Sequence, residues 1–238
     1  LAGEDVAAGE VLVHAGEKLT ATHLAVLAGV GQARVKVVRR VRAALLCTGD
    51  ELTQPGQPLT FGKIYDSNQM ALTARLAELG VECVQLGELS DDPQNVADAL
   101  AHAALEADII LTTGGVSVGK KDIFHQVLPL MGAERLFWRI AMKPGSPLLC
   151  GLYQDKLMIC LSGNPFAALC CFEVFVVPTL RRLSGETSIE AKRVKTRLRG
   201  EFPKPSPGRR LIRAVFDGET VRPASGNHSS GSLSANIG

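Results

Sequence analysis

The sequence predicts an α/β fold in which a parallel sheet is covered by helices on both faces, three layers in all, between two smaller flanking modules. Three observations predict it. Between residues 41 and 185, short apolar stretches alternate with helical stretches of about 10–15 residues, the rhythm of βαβ units. The apolar stretches are near-continuous, as in Ile109-Ile110-Leu111, which suits strands buried on both faces of a parallel sheet. The texture changes at both ends, which sets apart an N-terminal module (residues 1–40), the α/β domain (41–185) and a C-terminal β module (186–238).

In the N-terminal module, residues 11–13 read as a short strand. Thr20 to Leu27 has helical spacing, with Thr20 or Thr22 as N-cap and Gly29 near the end. Residues 34–38 alternate charged and apolar side chains, which predicts a second strand. The α/β domain opens on a strand over 43–47. Asp66-Ser67-Asn68 caps a helix that runs to Leu79 and stops at Gly80, with Leu72, Leu76 and Leu79 on its apolar face. A strand over 81–86 follows. Asp92 then caps a helix with Pro93 in first position, ending near Glu106. Residues 108–112 form a third strand, a glycine-rich loop leads to a helix from about Asp122 to Met131, and residues 135–141 form a fourth strand. Further strands cover 148–150 and 157–161, and an apolar helix runs from Pro165 to about Leu183. In the C-terminal module, Arg193, Lys195, Arg197 and Arg199 alternate with Val194, Thr196 and Leu198, a strand with one basic face. A strand over 211–216 and a hairpin signal at Asp217-Gly218 complete an antiparallel β module.

Composition limits the function classes. The chain of 238 residues is 46% apolar and 21% charged, which excludes long disorder and suffices for a core without staples. The net charge of +2 conceals a step, from −5 over residues 1–191 to +7 over 192–238. Such a step marks a domain boundary or a solvated basic face before it marks a nucleic-acid surface, so no nucleic-acid partner is expected. The six cysteines, Cys47, Cys83, Cys150, Cys160, Cys170 and Cys171, form no C-x-x-C pair and sit mostly in apolar runs. They read as buried thiols of a reducing cytoplasm, not as disulfides or a zinc site. The longest apolar stretch, residues 157–180, is broken by Gly163, Asn164, Pro165, Glu173 and Pro178, so no membrane span is expected.

The polar signals all follow strands. Thr48-Gly49-Asp50-Glu51 follows the first and Asp91-Asp92 the second. Gly114, Gly115, Ser117, Gly119 and Asp122 follow the third, Arg139 to Gly145 end the fourth, and Ser162-Gly163-Asn164-Pro165 follow the last. In open α/β sheets ligands bind at the carboxyl ends of strands, so the topology alone gathers these segments on one edge. Glycine-rich turns that lead into helices present backbone N–H groups to an anion. Lys143 and Arg139 add positive charge, which points to a phosphorylated ligand. Glu51, Asp91, Asp92 and Asp122 offer carboxylates for a hard cation such as Mg²⁺. Each residue also has a plain structural reading: a turn glycine, an N-cap for Asp66 and Asp92, a turn cap for Asp50, a surface lysine for Lys143. Only their co-location favours a site.

Six segments in order carry a resemblance: T-G-D-E-L from Thr48, I-Y-D-S-N ending at Asn68, D-D-P from Asp91, G-G-V-S-V-G from Gly114 with Asp122, M-K-P-G-x-P around Lys143, Pro144 and Gly145, and G-N-P at Gly163, Asn164 and Pro165. G-E-D-V-A-A-G from Gly3 and S-L-S-A-N from Ser232 extend it to both ends. The chain resembles the molybdopterin molybdenumtransferase family, to which the E domain of gephyrin is related. The resemblance implies that adenylated molybdopterin is bound, its adenylate bond hydrolysed, and molybdate inserted at the dithiolene with release of AMP, supported by Mg²⁺. By motif position it implies catalytic roles for Asp122, Glu51, Asp92 and Lys143, and metal binding by Glu51, Asp91 and Asp122. It implies cofactor binding by Thr48, Gly49, Asp50, Asp66, Ser67, Asn68, Gly114, Gly115, Ser117, Gly119, Arg139, Pro144, Gly145, Gly163, Asn164 and Pro165. Three positions depart from the family pattern. Arg139 stands where lysine is usual, Ser146 where a second lysine is common, and Ser162 replaces a proline, which is expected to loosen that loop.

The resemblance further implies a cytoplasmic enzyme that is a homodimer in its full-length form, with molybdopterin adenylyltransferase and other cofactor-assembly proteins as partners. It makes residues 1–40 the remnant of an N-terminal domain and residues 186–238 an incomplete barrel-like domain, with much of the family's N-terminal part absent. Two other readings remain open: a non-catalytic molybdopterin-binding scaffold, and a molybdopterin adenylyltransferase, which shares the central domain.

Overall fold

The structure is a computed structural model that describes residues 3–87, 89–116, 122–202, 206, 208–224, 229 and 231–234. The chain runs through α1 (Ala21–Gly29), β1 (Arg42–Cys47), β2 (Leu52–Thr53), β3 (Ile64–Tyr65), α2 (Ser67–Glu78), β4 (Glu82–Gln85), α3 (Pro93–Ala103) and β5 (Ile109–Thr113). It continues with α4 (Phe124–Met131), β6 (Glu134–Trp138), β7 (Met142–Lys143), β8 (Leu149–Tyr153), β9 (Lys156–Leu161), α5 (Pro165–Cys171), a π-helical turn (Phe172–Val176) and α6 (Val177–Leu183). The last strands are β10 (Arg197–Leu198), β11 (Arg209–Arg210), β12 (Ala214–Phe216) and β13 (Thr220–Pro223).

Local chemistry starts the helices where the sequence says. Thr20 caps α1 by accepting the His23 N–H, Asp66 caps α2 by accepting the Gln69 N–H at 3.0 Å, and Asp92 caps α3 by accepting the Asn95 N–H at 2.9 Å. The central sheet has the order β4-β1-β5-β9-β8-β6. β1 pairs in parallel with β4 and β5, and β5 with β9, in a register that sets Leu45 beside Leu111 and Leu111 beside Ile159.

Successive side chains of these strands point to opposite faces. Leu45, Leu111 and Ile159 join Leu72 and Leu76 of α2 and Phe172, Val176 and Leu180 of the last helix in one core. Leu46, Ile110 and Cys160 join Val96 and Leu100 of α3 and Phe124 and Val127 of α4 in the other. Each large apolar side chain buried this way contributes about 1.5–3 kcal/mol. The three layers are thus two helix layers on one sheet.

One strand departs from the parallel expectation. β8 runs antiparallel to both β9 and β6. The cause is a two-residue hairpin: Gln154 (φ 47°) and Asp155 (φ 63°) both take the left-handed backbone that a tight β8–β9 turn requires. Because β8 reverses twice, β6 runs in the same direction as β9, β5 and β1.

The flanks are corrected more strongly. Residues 11–13 and 34–38 form no strands. An alternating pattern makes a strand only when a partner edge accepts it, and these segments instead line a cleft of about 930 Å³ together with Leu79 and Gly185. The basic strand over 193–199 shortens to β10, which pairs in parallel with β13, while β12 and β13 form the expected antiparallel hairpin. β11 leaves that module and pairs with β7.

Arg39 ties the N-terminal module to the α/β domain: its guanidinium donates to both oxygens of Asp108, at 2.8 and 2.5 Å. The pair holds the Asp108 carboxyl below its ordinary value, with the Arg39 hydrogen bond as the main cause. A depressed carboxyl pKa contributes stability above the unfolded value of about 4 and loses it as pH falls through the folded value. Asp108→Asn is therefore expected to flatten the fall in stability below about pH 4 while changing little at pH 7. Urea unfolding across pH measures this.

All six cysteines are free thiols, five buried and Cys83 half-buried. Burial pushes Cys47, Cys160 and Cys171 up to about 12 and Cys170 up to about 11. No helix among the described residues is long and apolar enough to cross a membrane.

Candidate functional site

The carboxyl ends of β1, β5, β9 and β6 share one edge of the sheet, and the three central strand ends are in close contact. The Thr48 N–H donates to the Thr113 carbonyl at 2.9 Å, and the Gly114 N–H to the Leu161 carbonyl at 3.2 Å. Gly114 has φ +87°, and a Cβ there would lie 2.1 Å from the Thr48 carbonyl oxygen. Glycine is thus required on two counts, backbone angle and space. A Cβ on Gly163 would sit 3.5 Å from the Gly114 Cα, so the β5 and β9 turns are packed against each other.

The start of α2 joins the same edge. Asn68, nearly buried, donates from Nδ2 to the Gly163 carbonyl at 2.8 Å. Asn68→Ala would leave that carbonyl unpaired and is expected to cost about 1–2 kcal/mol, read from the urea midpoint. Asp66 lies deeper, occupied by its cap bond and close to the Cys47 thiol. Ser67 opens the helix.

The acidic residues fall into two groups. On the β1 side, Glu51 is exposed and its carboxylate lies over Gly49, while the Asp50 N–H donates to Asp91 Oδ2 at 3.3 Å. Asp91 therefore faces the β1 loop, whereas the Asp92 carboxylate is engaged in its cap. On the α4 side, Asp122 is 8% exposed, and neither of its oxygens has a hydrogen-bond partner among the described residues. Burial raises its carboxyl above the ordinary carboxylate value, opposed by the nearby His125. A buried carboxylate without partners is uncommon and calls for a ligand, an ion or water. Among the described residues no three acidic, imidazole or thiol side chains come close enough to hold a metal, so Glu51, Asp91 and Asp122 are not a preformed triad. Mg²⁺ at phosphates commonly uses only one or two carboxylates and completes its shell with phosphate and water oxygens, a role that Asp122 fits.

Ser162 does not loosen its loop. It is buried, and its hydroxyl accepts the Asn164 N–H at 3.3 Å, closing the turn before Pro165 begins α5. The cationic residues line the far side. Arg139 is exposed, with φ 69° and its guanidinium 4.5 Å from the Trp138 ring. Lys143 is exposed and precedes Pro144 through a cis peptide. Gly145 is held tightly, since a Cβ there would lie 2.4 Å from Cys171 Sγ. Ser117 and Gly119 lie outside the described residues.

Sequence reasoning missed the contribution of the C-terminal module. β11 sets Arg210 beside Lys143, and the Leu211 N–H donates to the Lys143 carbonyl at 2.9 Å. Arg213 is 6% exposed, with its guanidinium 3.6 Å from the ring of Phe166, the residue after Pro165. It donates to the carbonyls of Ser229 and Ser232. The only sequence signal was a basic residue inside an apolar strand.

The edge so assembled matches a known family over residues 44–182, that of the model described as "Probable molybdopterin binding domain". The chain belongs to the molybdopterin-binding domain family. Relatives carry this molybdopterin-binding domain within longer proteins. The chain is 40% identical over 184 residues to the molybdopterin molybdenumtransferase of Haemophilus influenzae, covering 77% of this chain and 45% of that protein. It is 39% identical over 216 residues to the enzyme of the same name from Bacillus subtilis, covering 90% and 50%. A crystal structure of a molybdopterin biosynthesis MoeA protein from Pyrococcus horikoshii superposes with a TM-score of 0.82 at 32% identity, over 94% of this chain and 55% of that one. The chain thus spans about half the length of the curated relatives it matches.

Proposed function

We propose that this chain carries the molybdopterin-binding part of a molybdenum-inserting transferase of molybdenum cofactor biosynthesis. Adenylated molybdopterin would bind at the carboxyl edge of the sheet, its phosphoanhydride would be hydrolysed, and molybdate would enter at the dithiolene as AMP leaves. The observation that carries the reading is the combination at one edge of a buried, unpartnered Asp122, the tightly packed glycine turns at Gly114 and Gly163, and the cations Arg139 and Lys143. The turns offer close backbone approach and N–H groups to phosphate oxygens. Arg139 and Lys143 would neutralise phosphate and molybdate oxygens. Asp122, with Glu51 or Asp91 across the edge, would hold Mg²⁺. That ion, when bound, offsets phosphate charge. Asp122 would orient the water that attacks phosphorus and take up its proton.

The same reading includes a homodimeric full-length enzyme in the cytoplasm that receives its substrate from molybdopterin adenylyltransferase. Its support is the motif resemblance, and for the compartment the six free thiols. The test is molybdate-dependent release of AMP from adenylated molybdopterin, catalysed by this chain. Release above the uncatalysed rate supports the proposal. Tight binding without release would favour a scaffold, and ATP-dependent adenylation of molybdopterin would favour the adenylyltransferase.

A further inference from the structure

His125 belongs to none of the motifs, yet it is the nearest polar group to Asp122. It lies one turn on, at the start of α4, with Nε2 3.1 Å from Asp122 Oδ2. The two atoms are in contact, although the N–H direction does not line up as a hydrogen bond. The imidazole is held from two other sides. Its ring meets Trp138 edge to face, with centroids 4.4 Å apart and planes at 89°. Its Nδ1 lies 3.4 Å from Arg135 Nη1.

A guanidinium has only donors, so Nδ1 must accept. The neutral ring then carries its proton on Nε2, the nitrogen that faces Asp122. Trp138 has a second task, because the Arg139 guanidinium lies over it at 4.5 Å. One indole therefore braces both the imidazole beside Asp122 and the cation at the end of β6.

We propose that His125 is a positioning residue: through the Nε2–H tautomer selected by Arg135 and the ring packing of Trp138, it orients the Asp122 carboxylate. The proposal rests on the transferase reading for its consequence, and on the geometry alone for its contacts. Oδ2 faces the imidazole, and Oδ1 has no partner among the described residues and remains for a ligand. A modest turn of either side chain brings the N–H onto the oxygen. Outer partners of this kind commonly alter activity by about 10–100-fold when removed.

The test has two arms. The first is long-range proton–nitrogen NMR of His125 at fixed neutral pH. The expected result is an Nε2–H tautomer whose shifts move in both Asp122→Asn and Arg135→Ala. An Nδ1–H tautomer, or shifts indifferent to Asp122→Asn, overturns the proposal whatever the chain catalyses. The second arm is steady-state AMP release. His125→Ala is expected to lower kcat by about tenfold or more with KM for adenylated molybdopterin changed less than about twofold. His125→Gln, whose amide can place a donor near Nε2, is expected to recover most of the loss. An unchanged kcat in His125→Ala, or equal losses in both variants, overturns it. If the parent chain releases no AMP, the transferase reading fails and the NMR arm still decides the positioning claim.

Discussion

Gly114→Ala is expected to lower folding stability by about 3–4 kcal/mol, the largest stability effect of any single methyl group at the site. Two terms add. A side chain at φ +87° pays the left-handed backbone cost of about 1–2 kcal/mol. The new Cβ also meets the Thr48 carbonyl oxygen at 2.1 Å, and that oxygen is backbone of β1's end and cannot swing away. Separating the strand ends to make room also loosens the Thr48–Thr113 and Gly114–Leu161 hydrogen bonds. Two controls isolate the terms. Gly132→Ala has a positive φ of 70° with nothing near the new methyl, and should cost about 1 kcal/mol. Gly163→Ala makes ordinary contacts at 3.5 Å and should change stability by less than about 1 kcal/mol. Urea midpoints that ranked the three otherwise would show that the turn packing does not set the edge.

Asp122→Asn is expected to reduce AMP release by about 100-fold or more, while leaving the protein about as stable as the parent at neutral pH. The buried carboxylate has no hydrogen-bond partner among the described residues, so its charge contributes nothing measurable to folding and its removal relieves a desolvation cost. A residue kept for packing would show the opposite pattern, lost stability with activity lost in proportion. Paired measurement of urea midpoint and AMP release distinguishes the two. Retained activity would move the chemistry to the Glu51 and Asp91 side of the edge.

These residues also show which parts of the fold a single sequence carries. The caps Thr20, Asp66 and Asp92 were legible because N-capping is settled within four residues of chain. The edge itself was legible because strand direction plus connection rules collect strand ends without any distance information. The reversal of β8 was not, since Gln154 and Asp155 lack the glycine that usually announces a tight hairpin and owe their positive φ to the pairing around them. Residues 11–13 and 34–38 have a strand's alternation, but alternation does not supply a partner.

The polar roles divide the same way. Asp91 and Asp92 are indistinguishable as letters, and only the cap bond of one and the loop contact of the other tell them apart. His125 and Arg213 were invisible because their partners Trp138, Arg135 and Phe166 come from other elements. Ser162 looked like a loss until its hydroxyl found Asn164.

The central claim is that the carboxyl edge of the sheet holds the phosphorylated pterin, and a crystal structure of this chain with adenylated molybdopterin tests it most directly. The account predicts the phosphoanhydride between the Gly114 and Gly163 turns, within reach of Asp122 on one side and of Lys143 and Arg139 on the other. Ligand bound in the cleft lined by residues 11–19 and 35–40, or at the opposite edge of the sheet, would contradict it.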